Sequence, residues 1–475
     1  MPEPLAMSSP RDTIFALSSG RPPAAIAVIR VSGPRAKDAI VALAGRVPSP
    51  RQATLLRLKR RCRDEEGSAS EAAFEPIDDA LVLWFPGPRS ETGEDTAEFQ
   101  LHGGHAVVAG VLSALDAVEG LRPAGPGEFT RRAFENGKLD LTKVEGLADL
   151  IGAETEAQRR QAFRQLTGLL GDRAEQWRQR LTEALALVEA SIDFPDEDIV
   201  SEKVVQRALV TAEQLDWEVR EVLASSRHGE RLREGLTVVV AGPVNVGKSS
   251  IVNRLAKRSA AIVSPHAGTT RDIIEVHLDL GGFPVTVLDT AGMRDTGDPV
   301  EVEGVRRARA RARDSDLVLW VIDATSGGPW PPAELVKPDA PPVWIVSNKM
   351  DLVEGKQLGR VLDEPAAAIG SLKRYPVSAL TGASFEALVD GLAEYAKRFF
   401  SNGTESGLVT RPRHRAALRE CADALRRACV VEETGREDLI AEELRLATNA
   451  LGRLVGRVDV ENVLDVIFRD FCIGK

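Results

Sequence analysis

The sequence of 475 residues has little cysteine, no long apolar run and no excess of basic over acidic residues. Four cysteines, Cys62, Cys421, Cys429 and Cys472, are too few and too scattered for a disulfide framework or a zinc ribbon, which favours a reducing compartment. No apolar run reaches the roughly 18 residues that a membrane-spanning helix requires. The first segment, MPEPLAMSSPRD, lacks the apolar centre of a secretory signal. Together these absences predict a cytoplasmic protein.

The charge balance argues against a protein that coats polyanions with its whole surface. The 61 Lys and Arg residues against 71 Asp and Glu give a net charge of −10. A local basic patch remains compatible with this balance, and the run RRARARAR (306–313) is one candidate, although a solvated helix face is the simpler interpretation of it. Hydrophobic residues at 43% and charged residues at 28% are typical of a globular protein. The length predicts about three domains.

In the first half of the chain, the pattern of hydrophobic residues changes near residue 140. Before that point, short β-type runs such as IAVIRV and ALVLWF alternate with helical stretches and Gly/Pro turns, which predicts a small α+β domain. After it, Trp177, Leu181, Leu185 and Val188 recur at helical spacing, which predicts one buried face of a long helix. The segment DFPD (193–196) should end this helix, because proline cannot continue the hydrogen-bond ladder.

A third pattern of hydrophobic residues begins at about residue 235. The apolar runs LTVVVAG, VTVLDT, DLVLWVID and PVWIVSNK alternate with helical stretches, which predicts a mostly parallel sheet wrapped by helices. Helical periodicity returns near the end of the chain, and this tail should pack against the first helical segment. We therefore predict an α+β domain over 1–140, a helical domain built from 141–234 and 401–475, and an α/β domain inserted between them over 235–400. The residues of the tail that should share one helix face are Leu439, Leu444, Ala447, Leu451 and Leu454.

The segment GPVNVGKS (242–249) fits the phosphate-binding pattern GxxxxGKS and directly follows an apolar strand. Its glycines allow the backbone to fold around a phosphate with consecutive N–H groups pointing at the oxygens. The following helix adds the positive end of its dipole. We expect Lys248 to reach the β- and γ-phosphates and the Ser249 hydroxyl to ligate magnesium. The segment predicts a nucleotide site.

The segment NKMD (348–351) selects the base. The Asp351 carboxylate can accept from N1–H and from the 2-amino group of guanine, and adenine has no such pair of donors. Further on, the loop Ser378-Ala379-Leu380 offers a backbone N–H to the guanine O6. NKMD alone is also compatible with a simple helix cap. Three motifs in this order on one α/β unit predict a GTP-binding domain.

Two further loops complete this domain. In the segment DTAG (289–292), Asp289 can support the magnesium shell and Gly292 can offer its N–H to the γ-phosphate. The segment GTTRD (268–272) lies between the two motifs, where a switch threonine should reach magnesium. Spacing alone does not decide between Thr269 and Thr270.

The residue after DTAG is Met293, where many GTPases carry a glutamine that orients the attacking water. Either hydrolysis is very slow, or other groups position the water and neutralise charge. Glu301 is a candidate for this role, and a solvated acid at a helix start is the alternative interpretation. Asn245, inside the phosphate-binding loop, is placed to ligate a monovalent cation.

Several longer segments resemble the MnmE family of tRNA-modification GTPases over essentially the whole chain. They are DTIFALSSG (12–20), IRVSG (29–33), SETGEDTAEFQLHGG (90–104), GPGEFTRRAFENGKLDLTKVEGLADLI (125–151), SIDFPDED (191–198) and FCIGK (471–475). The resemblance implies an N-terminal folate-binding-like domain, a helical domain and an inserted GTPase domain. It also implies a homodimer formed through the N-terminal domains.

The family's activity is implied in the same way. With a flavoprotein partner of the MnmG type, it adds an aminomethyl-type or carboxymethylaminomethyl group to C5 of the wobble uridine of certain tRNAs. The carbon comes from 5,10-methylene-tetrahydrofolate or a formyl-tetrahydrofolate, and the nitrogen from glycine or ammonium. GTP hydrolysis in this family is stimulated by potassium.

The resemblance also implies roles for individual residues. Glu301 falls on the catalytic glutamate, with Asn245 and Lys248 beside it; magnesium is held by Ser249 and Thr270. Potassium is held by Asn245, Ser264, His266 and Thr269, and folate by Arg30, Glu98, Lys138 and Lys475. Cys472 is a candidate for a role near the folate, and a plain structural thiol is the alternative. The implied GTP-binding residues are Asn245, Val246, Gly247, Lys248, Ser249, Ser250, Ser264, Thr269, Thr270, Asp289, Thr290, Ala291, Gly292, Asn348, Lys349, Asp351, Ser378, Ala379 and Leu380.

Three classes of function remain compatible with these motifs. The first is a potassium-stimulated GTPase coupled to tRNA modification. The second is a switch that binds RNA or ribosomes and uses hydrolysis only to reset. A requirement for folate separates them, because an assembly switch has no need of the folate residues. The third is a scaffold that holds GTP without hydrolysing it, which potassium-dependent turnover would exclude.

Overall fold

The computed structural model describes residues 12–61, 74–193, 198–258, 261–262, 274–289, 313–326, 329–337, 339–353, 372–401, 407–431, 436–458, 464, 467–468, 471 and 474. The chain forms two compact units. The first comprises Met1–Ala148, Gly171–Glu175 and Leu451–Lys475, and the second comprises Asp149–Leu170 and Gln176–Ala450. The division into four segments that the sequence predicts is finer than this and stays a prediction.

A six-stranded sheet forms the centre of the first unit, with the order β3-β4-β5-β2-β1-β6. Strands β1 and β6 are parallel, and the other neighbours are antiparallel. This arrangement confirms the predicted α+β fold. The strands are β1 (Thr13–Leu17), β2 (Ile26–Ser32), β3 (Thr54–Arg61), β4 (Phe74–Phe85), β5 (Thr96–His102) and β6 (Leu121–Pro123), and the helices that begin in this unit include α1 (Ala36–Ala44), α2 (His105–Asp116), α3 (Glu128–Glu135) and α4 (Leu141–Gly152).

Strand β2 shows how this sheet divides its two faces. Ala27, Ile29 and Val31 are buried in the core that includes residues of α1 and α2, whereas Val28 and Arg30 are only half-buried. Because side chains alternate along a strand, Arg30 lies on the face opposite to this core. The sheet therefore presents a polar side chain on its second face.

The described residues near the C-terminus pack within the first unit. Phe468 and Phe471 form an apolar cluster with Leu141 and Val144. Gly474 lies so close to the carbonyl of Leu17 that any side chain at this position would overlap that oxygen, and its φ of +99° also favours glycine. This end of the chain is thus fitted against strand β1.

The second unit contains the helices α5 (Glu156–Leu166), α7 (Asp198–Ala224), α8 (Ser226–Glu234) and α11 (Pro412–Val431), and most of α6 (Gly171–Asp193) and α12 (Glu437–Val455). Helix α11 packs against α7, as predicted for the tail, and Arg445 of α12 pairs with Glu189 of α6 at 2.8 Å. Helix α6 ends at Asp193, where the sequence predicts its end.

Two predicted helix faces are wrong by one residue. On α6, Trp177, Leu181 and Val188 are buried, but Leu185 is only half-buried and Ala184 takes its place in the core. On α12, Leu439 is 38% exposed and Ile440 is buried instead. One residue is a rotation of about 100° on a helix, so an apolar residue next to the buried stripe points away from it.

A seven-stranded sheet, β13-β12-β11-β7-β10-β9-β8, lies in the second unit. Strands β13, β12, β11, β7 and β10 are parallel, and β9 and β8 add an antiparallel edge, which confirms the predicted mostly parallel sheet. Among the described residues, no helix is long and apolar enough to span a membrane. The strands are β7 (Leu236–Ala241), β8 (Ala261–Ile262), β9 (Ile274–Leu280), β10 (Phe283–Asp289), β11 (Leu317–Asp323), β12 (Val343–Asn348) and β13 (Arg374–Pro376), with α9 (Lys248–Arg258) and α10 (Phe385–Ser401).

Candidate functional site

The phosphate-binding loop joins β7 to α9, which begins at Lys248. Gly242 has a φ of +141° and lies against the carbonyl of Val321, so a side chain there would overlap that oxygen. Asn245 and Gly247 also have positive φ, at 61° and 93°. Three positive φ values fold this segment into a tight turn, a conformation in which successive N–H groups can point at a phosphate.

The Lys248 side chain folds back over this loop. Its ammonium group donates to the carbonyl oxygens of Gly242 at 3.1 Å and Pro243 at 2.7 Å, and the residue is buried. The positive charge is therefore held within the loop. Ser249 follows on the first turn of α9 and is half-buried, and Ser250 is exposed.

Asn348 connects the phosphate-binding loop to residues 378–382, which we call the base-recognition loop. Its Nδ2 donates to the carbonyl of Val246 at 2.9 Å, and its Oδ1 accepts from the N–H of Ala379 at 2.9 Å. Gly247 lies so close to Nδ2 that a Cβ there would overlap it. Asn348 is 2% exposed, so both bonds are shielded from water and hold the two loops together.

The base-recognition residues lie around this bridge. The Ser378 hydroxyl donates to Oδ1 of Asp351, which fixes the carboxylate beside the loop. The sequence predicts that a backbone N–H of residues 378–380 meets guanine O6. Ser378 donates its N–H to the carbonyl of Ala383 at 3.1 Å and Ala379 donates to Asn348, so within this loop O6 must share one of these donors or use the N–H of Leu380. Leu380 is 80% exposed, which leaves the loop open to a base.

Lys349 is held by Asp323, a residue that sequence reasoning missed. Lys349 has a φ of +65°, and its ammonium group contacts Oδ2 of Asp323 at 2.7 Å. Burial raises the pKa of Asp323, but the hydrogen bonds from Lys349 and Thr325 outweigh it and hold that pKa below its ordinary value. Asp323 ends β11 and Lys349 follows the last residue of the adjacent parallel strand β12, so only the pairing of these strands could have indicated the contact.

The carboxylate of Asp289 stands at the end of β10, in register with Val240 of β7. It is 2% exposed. A carboxylate here and the Ser249 hydroxyl are hard oxygen donors of the kind that magnesium prefers. Among the described residues no group of three or more His, Cys, Asp or Glu could hold a metal ion by itself. The predicted residues Ser264, His266, Thr269, Thr270, Thr290, Ala291, Gly292, Met293 and Glu301 lie outside the described residues.

The first unit brings two predicted folate residues together. Arg30 on β2 stands opposite Glu98 on β5, and its Nε and Nη2 donate to Oε1 of Glu98 at 3.0 and 2.9 Å. Arg30 also contacts Glu91 at 2.6 Å and lies 5.9 Å from the ring centre of Phe129.

Lys138 is exposed and lies beside Gly93, in the loop that carries Glu91. Cys472 and Lys475 lie outside the described residues.

A buried ion network beside this pair was also missed. Arg132 donates to Glu94 at 3.1 Å, to Glu128 at 3.0 Å and to the carbonyl of Asp12 at 2.8 Å. Burial raises the pKa of Glu128, but hydrogen bonds from Arg122 and the Gly125 N–H, with the charge of Arg132, hold it below its ordinary value. The one feature of the sequence that could have indicated part of this network is the i,i+4 spacing of Glu128 and Arg132 on a helix.

The fold and the guanine-nucleotide geometry define the class of protein: it is a P-loop GTP hydrolase. Two family models match the chain, "MnmE helical domain" over residues 141–472 and "GTP-binding protein TrmE N-terminus" over residues 13–138. The chain belongs to the MnmE (TrmE) family of tRNA modification GTPases.

Named relatives agree with this assignment. The tRNA modification GTPase MnmE of Bradyrhizobium sp. (strain ORS 278) is 54% identical over 463 residues, which cover 98% of this chain and 99% of that one. The protein of the same name from Rhodospirillum rubrum is 52% identical over 473 residues, with coverage of 98% and 99%. A crystal structure of an Aquifex aeolicus Era variant is 29% identical over 40% of this chain and 66% of that one, but its TM-score of 0.27 is too low to bear on the fold.

Proposed function

We propose that this chain is a potassium-stimulated GTPase that modifies tRNA. Together with a flavoprotein partner of the MnmG type, it adds an aminomethyl-type group to C5 of the wobble uridine, with methylene-tetrahydrofolate as carbon donor. The observation that carries the proposal is the presence of two different binding arrangements in one chain, the guanine-nucleotide loops and the Arg30–Glu98 pair. The relatives' name, tRNA modification GTPase, supports tRNA as the substrate.

The phosphate-binding loop would perform the first part of the GTPase reaction. Its N–H groups and the Lys248 ammonium would bind the β- and γ-phosphates and stabilise the charge that develops on the leaving diphosphate. Ser249 and Asp289, with Thr270, would hold magnesium, which would supply positive charge to the phosphates. The Asp351 carboxylate, positioned by Ser378, would accept from N1–H and the 2-amino group of guanine.

Asn245 would contribute to catalysis through a second cation. Asn245 is exposed and has a φ of 61°, and its amide oxygen is a suitable ligand for potassium. Ser264, His266 and Thr269 would complete the set, with His266 binding through its backbone carbonyl. Potassium supplies fixed positive charge where negative charge develops. Since Met293 cannot orient water, Glu301 would do so.

The Arg30–Glu98 pair would recognise the pterin of a folate. Both hydrogen bonds from Arg30 go to Oε1 of Glu98, so the pair itself does not engage Oε2. That oxygen suits the 2-amino group and N3–H of a pterin, and the nearby ring of Phe129 adds an apolar surface. Lys138 and Lys475 would bind the glutamyl carboxylates. The close contact of Gly474 with β1 supports this, since Ala16 of β1 pairs with Arg30.

Assembly is the remaining part of the proposal. The chain would form a homodimer through its N-terminal domains, and the GTPase domains would approach each other when GTP and potassium are bound. The complex with the flavoprotein would act on tRNA in the cytoplasm.

The test of the GTPase mechanism is steady-state GTP hydrolysis in potassium chloride and in sodium chloride at equal ionic strength. We expect at least about tenfold faster turnover in potassium, and loss of this stimulation in Asn245→Ala, because a fixed charge near the γ-phosphate acts on the transition state. Asn253→Ala is the matched control, since Asn253 is exposed on α9 of the same domain. Equal and very slow turnover in both salts would refute the cation-assisted mechanism and favour a partner-activated switch.

The test of the folate site is calorimetric binding of 5-formyl-tetrahydrofolate to Arg30→Met and Glu98→Gln. We expect each change to weaken binding by about tenfold or more, because each removes a charge-assisted hydrogen bond. The control is Arg57→Met, which breaks the cross-strand pair of Arg57 with Asp79 in the same sheet, where both side chains are about half exposed. Wild-type protein that binds no folate would favour the assembly switch instead.

A further inference from the structure

Arg254, on helix α9, contacts the base-recognition loop directly. Its Nη1 donates to the carbonyl oxygens of Ala379 at 2.7 Å and Leu380 at 2.9 Å. None of the phosphate-binding or guanine-binding motifs includes this residue. The contact therefore needs an explanation of its own.

The guanidinium group fits closely into its place. It lies 5.8 Å from the ring centre of Phe385, the first residue of α10. Gly382 closes the loop with a φ of +89°, and any side chain there would overlap Nη2 of Arg254. The N–H of Gly382 donates to the carbonyl of Ser378 at 2.8 Å, so the loop turns tightly around the arginine. Because arginine has a planar fork of donors, it can bind two adjacent carbonyls in one fixed orientation.

Ala379 is thus held from both sides of its backbone. Its N–H donates to Asn348, whose amide also binds Val246 of the phosphate-binding loop, and its C=O accepts from Arg254. Helix α9 begins with Lys248, so Arg254 connects the phosphate-binding helix to the loop that faces the base. The two contacts together restrict the rotation of the peptides around Ala379.

We propose that Arg254 is a positioning residue for guanine recognition, which acts by holding the backbone N–H of Leu380 toward O6 of the base. The N–H groups of Ser378 and Ala379 donate instead to the carbonyl of Ala383 and to Asn348. It touches neither the base nor the phosphates itself. The inference rests on the proposed roles of this loop and of Asp351 in guanine binding. Without Arg254 the loop would still form, but the N–H of Leu380 would sample orientations that do not meet O6.

The experiment measures the dissociation constants of three nucleotides for the full chain and for Arg254→Met. GDP has both the 2-amino group and O6; 6-thio-GDP replaces O6 by sulfur, a weak acceptor; IDP keeps O6 and lacks the 2-amino group. Methionine is unbranched, like the arginine stem, and it removes the guanidinium donors. We expect about tenfold weaker binding of GDP and IDP, and a change within about twofold for 6-thio-GDP, because only the hydrogen bond to O6 is lost.

Two further variants control this comparison. Lys257→Met changes an exposed cation on the same helix and should leave all three dissociation constants unchanged. Arg254→Lys supplies one donor and should recover part of the GDP affinity. If Arg254→Met does not fold, the lysine variant carries the test, with an intermediate loss for GDP and little for 6-thio-GDP. In GTP hydrolysis, Arg254→Met should raise KM and leave kcat unchanged.

The possible results separate this inference from the proposed function. Equal losses for all three nucleotides, or no loss at all, would overturn the role of Arg254 while leaving the guanine site in place. Wild-type protein that does not distinguish GDP from IDP or 6-thio-GDP would overturn the proposed guanine site and this inference with it. A loss confined to nucleotides with O6 would support the inference.

Discussion

The two sheets of this protein place their candidate sites in different positions. In the first unit, Arg30 and Glu98 stand opposite each other on the face of an antiparallel sheet. In the second, Asp289, Asp323 and Asn348 each end a parallel strand. The burial of β7 explains the second case, because Val238 and Val240 belong to one apolar core while Val239 and Ala241 belong to the other. A sheet covered on both faces has only its strand ends and loops to offer a ligand.

This difference determines which kind of change affects stability and which affects activity. On the face of the N-terminal sheet, polar groups are mutually paired and partly shielded from water, so removing one leaves another without its partner. In the loops at the strand ends lie the groups for which we propose a ligand. Substitutions on the face of the N-terminal sheet should therefore lower stability, whereas substitutions in the loops at the strand ends should lower activity. Three predictions test this difference, from the largest expected effect to the smallest.

Replacing Lys248 should have the largest effect, and on activity alone. Lys248→Ala removes the ammonium group held within the phosphate-binding loop, and should lower kcat/KM for GTP by about 100-fold or more. It donates to the loop carbonyls of Gly242 and Pro243, which water can reach once the side chain is shortened, so the thermal midpoint should change little. Steady-state hydrolysis and a thermal melt of the same sample measure both quantities. A large fall in the midpoint would show that strand-end residues also support the fold.

Replacing Arg132 should give the converse result in the first unit. Arg132→Met breaks a buried pair with Glu94 and Glu128, and local stability should fall by about 3 kcal/mol because both carboxylates lose a cation. Hydrogen exchange in β1 and α3 measures this local free energy, while GTP hydrolysis should persist. The control is Arg131→Met, which breaks a more exposed i,i+4 pair with Glu135 and should cost below about 0.5 kcal/mol. Similar losses in both variants would contradict the role of the buried network.

Acid should produce the smallest effect on stability, with opposite signs in the two units. The pKa of Glu128 is held below its ordinary value of 4.5, so its stabilising effect is present above that pH and is lost as the pH falls through the lower, folded pKa. Burial raises the pKa of Asp316, which bonds the N–H of Thr237 on β7, above its ordinary 3.8. The cost of burying that charge is present above the raised pKa and is relieved as the pH falls.

Hydrogen exchange from pH 6 to pH 3, corrected for intrinsic rates, should therefore show falling protection in α3 relative to β7. Glu128→Gln and Asp316→Asn remove one titrating group each and should flatten the corresponding profile. Parallel loss of protection in both elements would mean that these two carboxyl groups do not control the difference.

Sequence reasoning predicted the GTPase loops because each motif is contiguous and follows a recognisable strand. Gly242, Lys248 and Asn348 stand where those motifs place them. Sequence reasoning was less successful at predicting which side of a helix is buried. It assigned Leu185 and Leu439 to buried faces that Ala184 and Ile440 occupy. An apolar residue beside the buried stripe cannot be separated from one within it by spacing alone, because only the neighbouring element decides which is covered.

The sequence by itself determined the two fold classes, the order of the motifs and the preference for guanine, because local patterns and fixed spacing carry that information. The tertiary structure decided which distant side chains meet. Arg30 and Glu98 are 68 positions apart and become neighbours only through the register of β2 and β5. Likewise, Arg254 meets Ala379 across 125 positions because α9 and the base-recognition loop pack together. Such contacts depend on the pairing and packing of whole elements, which no local pattern encodes.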